Sequence, residues 1–240
     1  MSRVAVIAAL ADELRTLVHG WPRESRNGVE LWRRRSGGSE WIAACAGVGV
    51  EAAARAFAEI ERDGAVDSVV SAGWAGALSG EYAAGRAYSV SGVIDARTGE
   101  RFRTAARSGE CWLVTTAGIA DQAEKRRLAA AYGAGLVDME AAGVARLAGV
   151  RGIAFHCIKG VSDGLEDRIP DLNGFISPDG RFQMGRFIRS AILRPWQWPS
   201  LIRIGGNSRR AARAVGESLL HLLDEPGTFR RHNGPPYPES

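Results

Sequence analysis

Across the first 160 residues, short apolar runs alternate with segments of helical periodicity, and no other feature constrains the fold as much. Val4–Ala9, Trp41–Ala46, Ser68–Ala72, Tyr88–Ile94, Trp112–Thr115, Gly135–Asp138 and Ile153–Gly160 read as strands. Between them, Ala11–His19, Glu51–Arg62, Gln122–Tyr132 and Glu140–Leu147 read as helices, and further on Arg181–Leu193 and Asn207–Leu223 do too. Several strands are apolar on both faces, as parallel strands covered by helices must be. The expectation is an α/β fold, a three-layer sandwich with a central mixed, mostly parallel sheet. We expect one domain over residues 1–224, ending in a basic, Trp-containing helical region (180–224), and then a Pro-rich disordered tail (225–240).

Composition narrows the function classes. With 45% hydrophobic and 24% charged residues the chain can bury a core, and it is neither disordered nor a coiled coil. A net charge of +4 would suit a polyanion. Of the 31 bases, however, only Lys125 and Lys159 are lysines, and no zinc-ligand spacing or RNA-binding motif accompanies the Arg residues. Nucleic acid is not an expected partner. Cys45, Cys111 and Cys157 are an odd, widely spaced set inside apolar segments, which reads as buried free thiols in a reducing, cytoplasmic setting. The run behind Arg3 is short and meets Asp12 and Glu13 at once, as a buried first strand does and a signal peptide does not. No stretch approaches the roughly 20 apolar residues of a membrane span.

In an open α/β sheet, ligands collect beyond the carboxyl ends of the strands. Three acids fall there: Glu13 after the first strand, Glu140 at the start of a helix, and Asp163 after Ile153–Val161. Each has an ordinary structural reading, since carboxylates suit first helical turns and Asp-Gly is a common turn pair. Their convergence on one edge is what points to chemistry. Ala46-Gly47-Val48-Gly49 and Ala72-Gly73-Trp74-Ala75-Gly76 read as strand ends whose small residues, Gly47 and Gly73 among them, let a ligand approach the backbone. A dinucleotide fingerprint, a P-loop and a G-x-S-x-G elbow are all absent, and His156 in its apolar strand reads as a core histidine. The helix Gln122–Tyr132 carries Lys and Arg on one side.

Five motifs resemble the purine nucleoside phosphorylase and nucleosidase superfamily in order and spacing: VAVIAALADEL (4–14), AGVGV (46–50), SAGWAGAL (71–78), VDMEAA (137–142) and IKGVSDG (158–164). The likeness covers roughly residues 3–165 and is strongest to methylthioadenosine/S-adenosylhomocysteine nucleosidases. The C-terminal block, with its Trp-Pro pair and Asn207-Ser208-x-x-Ala211, resembles the hopanoid-associated phosphorylase subgroup. The resemblance implies a nucleoside phosphorylase-like fold and release of adenine from a 5′-substituted adenosine through an oxocarbenium-like ribose. It gives the leaving purine's proton to Asp163, beside Ser162, and such an acid needs its pKa raised by burial or neighbours. It gives the ribose hydroxyls to Glu140, packing on the sugar to Met139, and activation of water to Glu13.

Two departures bear on the nucleophile and the base. Trp74 stands where a small hydroxyl residue is usual, and the Gly-Asp-Pro and Arg phosphate loop of the phosphorylases is missing. Water is therefore expected over phosphate, which stays the alternative co-substrate; no other cofactor and no metal is expected. The usual base-stacking aromatic near Thr116–Ala120 is missing, and Ile119 is the substitute. Between Gly180 and Gly216 lie eight Arg (181, 186, 189, 194, 203, 209, 210, 213) and no acid, interleaved with Trp196, Trp198 and aliphatics. That pattern is expected either to pack on the sheet or, over 181–213, to touch a membrane surface. The second reading suits a lipid-linked adenosine such as adenosylhopane, met at the inner face of the membrane. A soluble methylthioadenosine/S-adenosylhomocysteine nucleosidase, a phosphate-using phosphorylase and a nucleoside-binding module without catalysis are the rivals. The resemblance also implies a homo-oligomer, often a dimer.

Overall fold

The computed structural model describes residues 2–106, 109–167, 173–175, 177, 183 and 198–224. In chain order the elements are β1 (Ser2–Ala8), α1 (Ala11–Leu14), β2 (Arg23–Arg26), β3 (Val29–Ser36), β4 (Ser39–Cys45), α2 (Val50–Glu61), β5 (Ser68–Ala77) and β6 (Ala87–Asp95). They continue with β7 (Arg101–Arg103), β8 (Cys111–Thr115), α3 (Gln122–Tyr132), β9 (Leu136–Asp138), α4 (Ala141–Arg151), β10 (Ala154–Asp163) and α5 (Trp198–Asp224).

The ten strands among the described residues form one mixed sheet, in which β4, β1, β5 and β10 run parallel side by side. A second parallel set, β6, β8 and β9, joins it through antiparallel pairings of β6 with β10 and of β9 with β5. Because β5 pairs with both β10 and β9, the strands β5, β10, β6, β8 and β9 close into a ring. Helices cover both faces. The Ala-rich α2 and α4 bury Ala52, Ala56, Phe57, Ala141, Val144 and Ala145 on one side. Their approach is close: a Cβ on Gly143 would come within 2.4 Å of Val50 Cγ1. On the other side, Leu14, Leu17 and Val215, Leu219 and Leu223 of α5 pack on β1, β4 and β5. The third cluster seats α3 through Leu128 on Ile94, Val114 and Val137. Asp121 caps α3, accepting from Glu124 N at 2.8 Å, and Gly133 closes it with φ +60°.

The structure corrects the sequence reading in four places. The helix expected over Ala11–His19 is only α1; the chain then turns to bury Leu17, Val18 and Trp21. Strand β5 does not end at Gly73 but runs to Ala77, so Gly73, Trp74 and Gly76 lie within it. The β2–β3 hairpin was not expected, although Asn27 (φ +51°) and Gly28 (φ +76°) form the left-handed pair favoured in two-residue turns. Helix α5 begins at Trp198 and passes through Gly205-Gly206, rather than beginning at Asn207. The helix expected over Arg181–Leu193, the tail 225–240 and most of 181–197 lie outside the described residues.

All three cysteines are buried and free, as expected. His156 is buried on β10, where burial pushes its imidazole down to about 4 and keeps it neutral. Among the described residues no helix is long and apolar enough to cross a membrane.

The contact between α5 and the sheet turns on Gly160. A Cβ there would lie 2.7 Å from Ala211 O and 2.9 Å from Ala211 C, backbone atoms that cannot swing aside. Gly160→Ala is expected to push α5 off β10 at a cost of about 1–3 kcal/mol. A lowered Tm with faster amide exchange across α5 is the expected result, and an unchanged Tm would refute it.

Candidate active site

A cavity of about 330 Å³ opens where the carboxyl ends of β1, β9 and β10 meet the later half of β5. That volume is at the small end of the range for ligand sites. Seven of the residues singled out from sequence line it: Glu13, Trp74, Ile119, Met139, Glu140, Ser162 and Asp163. Gly47 and Gly73 do not, and their part is behind the wall. Gly47 (φ +112°) donates its N–H to Ala9 O at 3.1 Å, steadying the turn that follows β1. At Gly73 a Cβ would sit 2.7 Å from Glu13 Oε1, so only glycine leaves room for that carboxylate.

Among the described residues, the hydrogen bonds that hold Glu13 all come from the backbone. Its Oε2 accepts from Ala9 N and Leu10 N, both at 2.8 Å, and its Oε1 accepts from Trp74 N at 2.7 Å. Burial pushes its carboxyl up, while the Trp74, Leu10 and Ala9 N–H groups and the Lys159 charge pull the other way; the balance stays above the ordinary value. Glu140 precedes α4 and accepts from Gly49 N at 2.7 Å through Oε1. Burial, then the nearby Asp138 and Glu13 charges, push it up to about 8.

Two lysine–aspartate pairs underlie these acids, and sequence reasoning missed both. Lys159 on β10 lies 2.9 Å from Asp138 Oδ2 and donates to Ala72 O at 3.2 Å. Burial opposes its charge most strongly, but Asp138, Cys157 and Glu140 together outweigh this and hold it above the usual lysine value. Asp138 also accepts from Thr115 Oγ1 at 2.6 Å and from Ala141 N at 2.9 Å, so it caps α4. Lys125 on α3 donates to Asp163 Oδ2 and, at 2.7 Å, to Gly164 O. Ser162 Oγ donates to Asp163 Oδ1 at 2.5 Å. Lys125 is thus buried, while its neighbours Arg126 and Arg127 are exposed. A signal was present: Lys125 stands three residues before Leu128, on the stripe of α3 that faces the core.

Trp74 walls the cavity. Its indole N–H donates to Ser208 O at 2.9 Å, tying β5 to α5, and α5 adds Ile204 and Ser208 to the lining. Gly118, Ile119 and Ala120 supply a short apolar shelf, fixed where Thr116 Oγ1 donates to Gly118 O at 2.9 Å. The site therefore offers carboxylates on one side, apolar faces on the other, and one cation in its described lining, Lys125. Among the described residues no cluster of three His, Cys, Asp or Glu side chains is placed to hold a metal ion. Chemically, the set can hold a polar ring system against Ile119, bind hydroxyls at Glu140, and place a base and a proton donor on separate elements, α1 and β10.

No curated protein matches this chain in sequence. Among solved structures, the 5′-methylthioadenosine/S-adenosylhomocysteine nucleosidase of Helicobacter pylori is similar over 93% of this chain and 98% of its own, with TM-score 0.71 and 12% identity. The futalosine hydrolase of the same organism is similar over 93% and 97%, with TM-score 0.71 and 12% identity. For the methylthioadenosine/S-adenosylhomocysteine nucleosidase of Neisseria meningitidis the shares are 93% and 99%, with TM-score 0.70 and 17% identity. The chain has the fold of these enzymes, and residues 111–177, which carry Met139, Glu140, Ser162 and Asp163, match the model of the phosphorylase superfamily.

Proposed function

We propose that this protein cleaves the N-glycosidic bond of a 5′-substituted adenosine and releases adenine, with water as the nucleophile. One observation carries the reading. Glu13, Glu140 and Asp163, from three separate elements, converge on one cavity together with Met139 and Ser162. The solved structures named above, two nucleosidases and one hydrolase, support the same reaction class. In this reading Glu13 takes a proton from water, Glu140 holds the ribose hydroxyls, Met139 packs on the sugar, and the leaving purine receives its proton at Asp163. Water is favoured over phosphate because Glu13 is built into the cavity by three N–H groups and the one cation in the described lining is already paired with Asp163. No cofactor enters the scheme.

The 5′ substituent is proposed to be apolar and lipid-like, as in adenosylhopane, which would become a ribosyl hopane at the cytoplasmic face of a membrane. What supports this is α5. It lines the cavity with Ile204 and, within the same two turns, exposes Trp198 (48%) and Ile202 (74%). Part of the basic character is internal, however: Arg203 pairs with Asp167 at 2.9 Å and Arg213 with Glu217 at 2.8 Å. A homodimer is part of the same proposal. Methylthioadenosine is the competing substrate, favoured by the nucleosidase structures that the fold matches.

Adenine release is expected without phosphate, and a strict phosphate requirement would remove the hydrolytic reading. Glu13→Gln is expected to slow release on the order of 10²-fold. Asp163→Asn should cost at least as much, but it also strands the buried Lys125 charge, so its Tm must be read alongside. Protein that binds adenine and releases none from any adenosine derivative would favour the binding-module reading.

A pH profile tests Glu140. Its ionised form accepts from both ribose hydroxyls, so kcat/KM is expected to rise as pH climbs through about 8 and Glu140 loses its proton. Glu140→Gln should flatten that limb; an unaltered profile would remove Glu140 from ribose binding.

Turnover of adenosylhopane and methylthioadenosine, with sedimentation on anionic vesicles, separates the two substrates. Cleavage of methylthioadenosine alone, with no vesicle binding, would end the lipid reading. Vesicle binding that weakens with added salt is the expected result.

A further inference from the structure

The chain uses Arg for nearly every base, yet its two lysines are both 1% exposed and both sit against acids beside the cavity. Taking an ammonium out of water costs several kcal/mol unless it is well matched, and Lys and Arg differ in one property that matters here. Lysine can give up its proton inside a protein; arginine cannot.

The two lysines do different work. Lys159 is spent on structure, on Asp138 and Ala72 O, and does not line the cavity. Lys125 lines it. Of its three donors, two go to Asp163 Oδ2 and Gly164 O. The contact with Asp163 is built in from a third side. A Cβ on Gly76 would lie 3.0 Å from both Asp163 Oδ2 and Lys125 Cε, so glycine is what lets the pair close. Lys125 and Asp163 form an ion pair in which an Nζ–H points at Oδ2.

Resting on the adenosine-cleaving reading above, we infer that Lys125 is the proton source behind Asp163 for the departing purine. One proton moves from Nζ to Oδ2, leaving a neutral amine and a carboxylic acid. The acid then gives that proton to a ring nitrogen of the purine as the C1′–N9 bond breaks and its electron pair enters the base. Glu13 takes a proton from the attacking water, whose oxygen bonds to C1′. The cycle closes when Glu13 releases its proton to solvent and the Lys125 amine takes one up. Lys125 acts through Asp163, so it positions and recharges the acid rather than touching the sugar.

Lys125→Arg and a substrate that needs no proton test this together. Arg keeps the charge beside Asp163 but does not yield its proton. An N7-methylated adenosine carries a cationic base and leaves without protonation. With the best adenosine substrate of the panel above, Lys125→Arg is expected to lose about 10²-fold in kcat. On the N7-methyl derivative of the same nucleoside the loss should be within about 5-fold, with Tm near that of the wild type. Lys125→Met should show the same split between the two substrates. Full activity of Lys125→Arg on the parent nucleoside would overturn the proposal, because charge alone would then suffice. Equal losses on both substrates would overturn it too, because the role would be structural. Wild-type protein that cleaves neither nucleoside would overturn the adenosine-cleaving reading itself and this inference with it.

Discussion

The site hangs on Asp138. This buried carboxylate accepts from Thr115 on β8, from the first N–H of α4 and from the Lys159 ammonium on β10, so three elements meet at its two oxygens. Removing one partner of a buried pair leaves an uncompensated charge, a loss of about 3–5 kcal/mol where it has been measured. That penalty fixes the relative position of β8, β9, β10 and α4. Glu140, two residues on, can then reach back to Gly49 N. Ring closure through β5 follows from the same meeting point, since Gly76 pairs with Val137 on β9 and Lys159 pairs with Gly73 in the β5–β10 ladder.

Around that anchor the charges are unbalanced in a way that suits a cationic transition state. Among the described residues, Glu13, Asp138, Glu140 and Asp163 face only Lys125 and Lys159. Burial and the neighbouring acids push Glu140 up, which relieves the surplus. A positively charged ribose placed between Glu13 and Glu140 would restore it, drawing Glu140 back toward its ionised form. Preorganised carboxylates of this kind cost nothing to reorient when the charge develops. The three N–H groups on Glu13 serve the same end, since they fix both of its oxygens before any ligand arrives.

Much of this was legible from the chain. The strand–helix alternation and the three acids were readable because they follow local rules: apolar runs for parallel strands, and polar residues just past the strands' carboxyl ends. What failed was what depends on tertiary context. Strands β2 and β3 carry RESR and VELWRRRS, and with one face open to solvent they lack the apolar run that marked the others. The Gly-rich stretch of β5 looked like a strand end because glycine favours turns. It is instead a strand interior thinned to admit Glu13 and the Lys125–Asp163 pair. Lys125 itself was hidden among Arg126 and Arg127, and only its phase relative to Leu128 set it apart. The superfamily motifs reached Asp163 but could not show that a lysine stands behind it.

Helix α5 joins the two halves of the functional argument. Its later turns are locked to the sheet through Ala211, Ala212, Val215, Leu219 and Leu223, all buried. Toward its start the same helix gives Ile204 and Ser208 to the cavity while Ile202 and Trp198 face outward. The indole of Trp74, bonded to Ser208 O, braces the helix at the point where it passes from one role to the other. A small hydroxyl residue at position 74 could not span that gap. The large side chain at position 74 is therefore the one that joins the cavity wall to the apolar start of α5.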